Sequence, residues 1–227
     1  MGCSVSSSAH IIIQQPFYVM RNLYYYLFLL SGLMAGLTSY TFDGKTLKCN
    51  SYKVEDSFHV KELNRTFTKV SEDMIHKFPQ RASTACVSGI KNMSGLFHWP
   101  GMFFYPTDLK LNLSSWDTSS VTDMSRMFYY FKDSVTGLNF WNTSQVKTME
   151  AMFFKATYFN ENISLWNTSS VENMDLMFLF ASSFNQDISR WCVQNVYDKF
   201  IDFGFLSNLS GNFYPSWGAN CPMSHTG

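Results

Sequence analysis

The apolar positions of this chain fall into columns. Tryptophan recurs at Trp116, Trp141, Trp166 and Trp191, and the interval is the same each time. Aligned on them, the chain reads Trp116-DTSSVTDMSRMF, Trp141-NTSQVKTMEAMF, Trp166-NTSSVENMDLMF and then a degraded Trp191-CVQNVYDKFIDF. Val121, Val146, Val171 and Val196 share a column. So do Met124, Met149 and Met174; Met127, Met152 and Met177; and Phe128, Phe153, Phe178 and Phe203. Leu113, Leu138, Ile163 and Ile188 precede the tryptophans. A fixed period with this many matched columns marks an array of near-identical units, each too small to bury its own apolar face.

The spacing inside a unit predicts its elements. Val121, Met124, Phe128 and Phe131 stand at the i, i+3, i+7 and i+10 positions of one face of a short helix. Asp123, Thr148, Asn173 and Asp198 are placed before that stripe as N-caps. Ser125, Glu150 and Asp175 then put two acids into the first turn. Upstream, Phe159-NENIS and Phe184-NQDIS alternate as a half-buried strand does. The expected fold class is α/β: a leucine-rich-repeat-sized solenoid of ~25-residue strand, turn and short-helix units, with parallel strands about 4.8 Å apart.

The ends depart from the period. The fourth unit places Lys199 and Asp202 where methionines stand, the polar outer face a terminal repeat needs. Ile90-KNMSGLF reads as an early unit out of phase, because the step from Met93 to Met124 is longer than the period. The segment HWPGMFFYP supplies the extra residues as a loop. Residues 40–86 are charged and aperiodic and read as an N-terminal cap, residues 87–203 as the repeats and 204–227 as a C-terminal cap.

Composition narrows the functional classes. The chain of 227 residues has a net charge of zero, which argues against nucleic acid or an anionic membrane surface as a partner. Residues 23–37, LYYYLFLLSGLMAGL, form an uncharged apolar run sized for a signal-peptide core and short for a membrane span. Residues 1–39 therefore read as a signal peptide or an uncleaved signal anchor. Met20 makes a conventional start that leaves residues 1–19 as an extension. An alternative is lipid anchoring in the cytosol, because Gly2 and Cys3 match an acylation pattern.

Cysteines favour the exported reading. Cys49, Cys86, Cys192 and Cys221 allow three pairings. Pairing Cys49 with Cys86 and Cys192 with Cys221 staples each end of the array within its own cap. No C-x-x-C or His/Cys cluster suggests zinc. Sequons occur at Asn64, Asn92, Asn112, Asn142, Asn162, Asn167 and Asn208. Asn142 and Asn167 share a column with Asp117, so that column reads as a turn residue bonding its own backbone. Asn64 and Asn208 lie outside the columns and are the better glycan acceptors.

Nothing in the sequence assembles a catalytic constellation. The five histidines stand apart from any repeated acid or nucleophile, and there is no phosphate-binding glycine motif or calcium loop. No cofactor and no metal is expected. Stacked Thr118, Thr143 and Thr168 offer two readings: a flat hydroxyl array such as ice-binding solenoids present, or hydroxyls bonded to the backbone after each tryptophan. The second is favoured for three rungs. Binding specificity is expected at positions between the columns, such as Arg126, Ala151 and Leu176, or in the caps.

The unit seen in Phe184-NQDISRW and Trp166-NTSSVENMDLMF resembles the BspA-family (DUF285) repeat of surface proteins, over roughly residues 87–203. DGKTLKC near Cys49 and WCVQNV at Cys192 are similar to the caps of secreted members. The resemblance implies a leucine-rich-repeat-like solenoid, secreted or displayed at the cell surface, with a role in adhesion or in binding an extracellular protein or glycan. It carries over no catalytic residue, so no enzyme is expected. The exposed strand face between Leu109 and Arg190 is the expected contact surface. A self-associating structural coat is the alternative function. The copy departs from the family at Pro100–Pro106 and at Ser134, where Phe159 and Phe184 stand in later units.

Overall fold

A computed structural model describes residues 40–98, 109–196, 202–217 and 221. Contacts divide the chain into Met1–Thr38 and Ser39–Gly227, and every described residue lies in the second unit. The signal, anchor and acylation expectations, the loop at Pro100–Pro106, and Asp198 and Lys199 fall outside the described residues.

The N-terminal segment is a small sheet structure on one end of the array. Strands β1 (Thr41–Phe42) and β2 (Leu47–Lys48) pair antiparallel. Strands β3 (Ser57–Val60) and β4 (Arg65–Lys69) form a hairpin, and β5 (Ala85–Cys86) adds to β4 in parallel. Helix α1 (Glu72–Lys77) links β4 to β5, followed by a 3-10 turn at Pro79–Thr84. A small core of Leu47, Phe58, Val60 and Phe67 surrounds the disulfide between Cys49 and Cys86. The segment docks on the first repeat: the Leu47 N–H donates to the Ser115 carbonyl, and the Trp116 indole to the Ala82 carbonyl.

From Ile90 onward the units stack in parallel, but their apolar stripe is not helical. Among the described residues no helix covers 123–131 or its equivalents. The backbone alternates instead. The N–H groups of Met127, Tyr129 and Phe131 bond three residues back, to Met124, Arg126 and Phe128. Those of Met124, Arg126, Phe128 and Tyr130 leave the unit and donate to Thr148, Glu150, Met152 and Phe154 of the next. Met149, Ala151, Phe153 and Lys155 repeat this toward Asn173, Asp175, Met177 and Leu179. An α-helix would consume all these donors internally. Here half of them tie adjacent units together, as a β ladder does, while i, i+3 spacing still buries the methionines and phenylalanines.

That alternation demands left-handed residues. Arg126, Tyr130, Ala151, Lys155, Leu176 and Phe180 all have φ between 51° and 60°. Gly95 occupies the same column one unit earlier, at φ 64°. Only that glycine advertises the conformation, which costs other residues roughly 1 kcal/mol or more each. The N-cap column keeps its chemistry without the helix: Asp123, Thr148 and Asn173 accept the N–H two residues on.

Side chains add cross-unit bonds. Each indole N–H donates to the preceding unit: Trp141 to Leu113, Trp166 to Leu138 and Trp191 to Ile163, at 2.8–3.2 Å. Tryptophan fits this column because it joins a large flat apolar ring to a donor at its far edge. The four rings stack at 5.9–6.2 Å, within 6° of parallel. Phe97, Phe128, Phe153 and Phe178 form a second ladder at 5.2–5.6 Å. The threonines run the other way: Thr118, Thr143 and Thr168 are buried and donate to the carbonyls of Asn142, Asn167 and Cys192 in the following unit. A buried hydroxyl column cannot present the flat outer face that ice binding requires.

The strand expectation holds only for the first two units. β6 (Lys110–Asn112) pairs in parallel with β7 (Ser134–Thr136). Gly137 follows at φ 86°, where a Cβ would lie 2.5 Å from the Ser114 nitrogen. Phe159-NENIS and Phe184-NQDIS are not strands. There the Asn160 side-chain oxygen accepts the Asn185 N–H, and Asn185 in turn accepts from Ser210. The asparagine oxygen replaces the backbone carbonyl as acceptor, so the rung forms without a β bridge. The departure at Ser134 is offset three residues upstream. Phe131 stands where later units have Ala156 and Ala181, and it packs edge-on against Phe128. In those units Phe159 and Phe184 stack on Phe153 and Phe178 instead.

The last unit slips by one residue. Val196 keeps the register of the period, bonding Val193 as Val171 bonds Thr168. The left-handed pair then appears at Asp202 and Leu206, one position later than the period would place it after Leu176 and Phe180. The Phe178 N–H reaches the Phe203 carbonyl, where Phe153 reaches Met177. Phe203 therefore belongs to the second methionine column and not to the phenylalanine column. Gly204 takes the phenylalanine place, and the Tyr214 ring fills the space its missing side chain leaves. Phe203 meets Phe178 edge-on and packs against Tyr214 and Trp217, which closes the core. The disulfide between Cys192 and Cys221 ties the C-terminal segment to this unit.

Candidate functional site

The described surface offers one feature that continues across units. Beside the buried phenylalanine ladder run two columns at the end of each ribbon. The first holds Tyr129, Phe154, Leu179 and, after the one-residue slip, Phe205. The second holds Tyr130, Lys155, Phe180 and Leu206. Tyr130, Phe205 and Leu206 are 41%, 59% and 55% exposed. Tyr129 stacks on Phe154 at 4.6 Å, and His98 meets Tyr129 at the same distance. Lys155 sits among the rings, its Nζ 4.9 Å from Tyr130, 5.1 Å from Phe180 and 5.6 Å from Phe154. It also donates to the Tyr130 hydroxyl at 3.1 Å. The lysine thus bridges two aromatic residues of its own column through cation–π contact.

The strip tunes its titratable members. Burial holds the His98 imidazole below its ordinary value, and the Arg126 cation adds to this. Burial raises the Tyr129 phenol, with Tyr130 adding to the shift. Both effects favour neutral side chains along an aromatic surface.

The strand face expected as the contact surface is mostly polar. Lys110, Ser134, Asn160, Asn162, Asn185 and Asp187 occupy it, with Phe140, Tyr158 and Leu165 as separate exposed apolar residues. A shallow cleft of about 480 Å³ opens on it between Lys110, Lys132, Tyr158 and Glu161. The positions expected to carry specificity divide. Arg126 is exposed and pairs with Glu150 at 2.7 Å; Leu176 is half-buried; Ala151 is 1% exposed and cannot touch a partner.

The sequon asparagines are all exposed and differ in their hydrogen bonds instead. Asn142 and Asn167 accept the N–H of Ser144 and Ser169, as Asp117 accepts that of Ser119. Asn92, Asn112 and Asn162 make the same turn. Asn64 and Asn208 are exposed, Asn64 at the tip of the β3–β4 hairpin with φ 48°. His98 and Asp117 share no hydrogen bond; Asp117 is buried against its own turn. Lys69, unremarked in the sequence, is buried in the N-terminal segment and donates to the Ser88 carbonyl. Burial lowers its pKa, and nearby Asp117 opposes that shift.

Sequence comparison matches the family described as "Mycoplasma protein of unknown function, DUF285" over residues 61–130 and 98–217. No curated protein and no solved structure matches the chain. The two matched segments together cover residues 61–217, from the turn between β3 and β4 through every repeat to Trp217, so the chain belongs to the DUF285 family.

Proposed function

We propose that the chain is a secreted or surface-displayed, non-catalytic binding protein whose stacked units form a leucine-rich-repeat-like solenoid. Its partner is an extracellular protein or glycan. The observation that carries this reading is the aromatic strip. Tyr129, Tyr130, Phe154 and Phe180 are in ring contact over three units, and Phe205 stands exposed in the same pair of columns one unit further on. Aromatic residues dominate binding hot spots because they bring large contact area with few rotatable bonds. The disulfide at each end supports an oxidising compartment.

The test uses the full chain on arrays of glycans and purified extracellular-matrix proteins. Binding should fall when Tyr130→Ser and Phe205→Ser are combined, and survive Tyr158→Ser on the strand face. Binding indifferent to the strip, or a chain recovered only from the cytosol with free thiols, would overturn the proposal. N-terminal sequencing of the mature protein distinguishes a cleaved signal from an anchor.

A further inference from the structure

Lys69 is a buried charge that the fold leaves incomplete. Its side chain is 9% exposed, and its ammonium donates to one acceptor, the Ser88 carbonyl. An ammonium carries three donors. Buried Asp117 opposes the effect of burial on Lys69, but among the described residues the two make no ion pair. A buried charge is costly unless an opposite charge and hydrogen bonds complete it. Lys69 and Ser88 both line an open cleft of about 630 Å³, where the N-terminal segment meets the start of the array. Small-molecule sites span roughly 300–1,000 Å³.

The walls of this cleft divide by chemistry. Glu72 and Asp73 stand exposed on the first turn of α1, and Lys91 stands exposed at the start of the array. Among the described residues none of these three side chains makes an ion pair. Between them Val70 and Ile90, 6% and 9% exposed, and the more exposed Val54 supply apolar surface. A dianion such as phosphate would meet Glu72 and Asp73 as like charges. A carboxylate whose other end is a cation matches both signs.

We infer that this cleft binds a free apolar α-amino acid. The carboxylate would take the spare donors of Lys69, with Lys91 adding a second positive charge. The ammonium would face Glu72 and Asp73, and the side chain would cover Val54, Val70 and Ile90. The site uses no residue of the aromatic strip, so it stands whether or not the strip binds a partner.

The test is an NMR titration of the full, disulfide-intact chain carrying carbon-13-labelled lysine, with the Lys69 side chain assigned through its backbone. Leucine should shift the Lys69 signal saturably and raise its pKa, because a carboxylate beside an ammonium favours the charged form. N-acetylleucine lacks the ammonium and leucine methyl ester lacks the carboxylate, so each should bind about ten-fold or more weakly. Glu72→Gln combined with Asp73→Asn changes exposed positions only. It should weaken leucine by a similar factor and leave N-acetylleucine unchanged. The inference is overturned by leucine leaving Lys69 unshifted, by equal shifts at exposed Lys45 and Lys48, by N-acetylleucine or the ester binding as tightly as leucine, or by the double variant binding leucine undiminished.

Discussion

Thr143 isolates the contribution of the buried hydroxyl column. Its side chain is 1% exposed and donates to the Asn167 carbonyl at 3.0 Å. Thr143→Val keeps the shape and removes the donor. The part-buried Asn167 carbonyl then loses that partner, which costs about 1–3 kcal/mol. Thr143→Ser keeps the donor and removes one methyl group, which costs about 0.8 kcal/mol by area, slightly more with the cavity. Valine should therefore be the worse replacement, although it is the more apolar residue in an apolar interior. Urea unfolding reads the difference directly: with a slope near 2 kcal/mol/M, valine shifts the midpoint by about 1 M and serine by about half that. Thr118 and Thr168 make the same bond and serve as replicates. A valine variant as stable as the parent, or more stable than serine, would refute the claim that these hydroxyls are structural.

Other outcomes follow from the same geometry. Ala151 is left-handed and buried, so Ala151→Gly should leave stability nearly unchanged, whereas Ala156→Gly in the same ribbon should cost about 1 kcal/mol; thermal unfolding compares them. Asn160→Ala removes the acceptor for the Asn185 N–H and should cost about 1 kcal/mol, while Asn160→Asp retains it and should cost less. His98 has a folded-state pKa below its ordinary 6.5, so the unfolded chain takes up its proton first. The stability it contributes is present above pH 6.5 and lost as pH falls through the folded value, and His98→Gln should flatten that acid limb in a pH series of urea midpoints.

Some of this architecture is legible in the sequence, and the remainder is hidden for identifiable reasons. The columns mark the buried residues because a stack gives every unit the same environment. The Asx column declares its turn because aspartate substitutes for asparagine there. The helix expectation fails because an i, i+3, i+7 pattern reports which side chains face inward and says nothing about where the N–H groups go. A run of glycines would reveal the alternating ribbon, but Arg126, Ala151 and Leu176 stand in their place. The strand expectation fails at Phe159 and Phe184 because the following asparagine side chain takes over the carbonyl's part. The aromatic strip goes unread because its columns alternate in chemistry, with Lys155 between Tyr130 and Phe180. The cation's place among the rings appears only in three dimensions.

The extra residue between Val196 and Asp202 limits how such an array can change length. Any block one period long, taken between Val121 and Val196, begins and ends in the same phase. It can be copied or lost by recombination, and every rung re-forms across the junction. A block that includes the lengthened step carries its dislocation with it. Copied inward, it would put a glycine where the stack needs a buried ring. Growth is therefore confined to the interior units, and the two ends are inherited unchanged whatever the number of units between them.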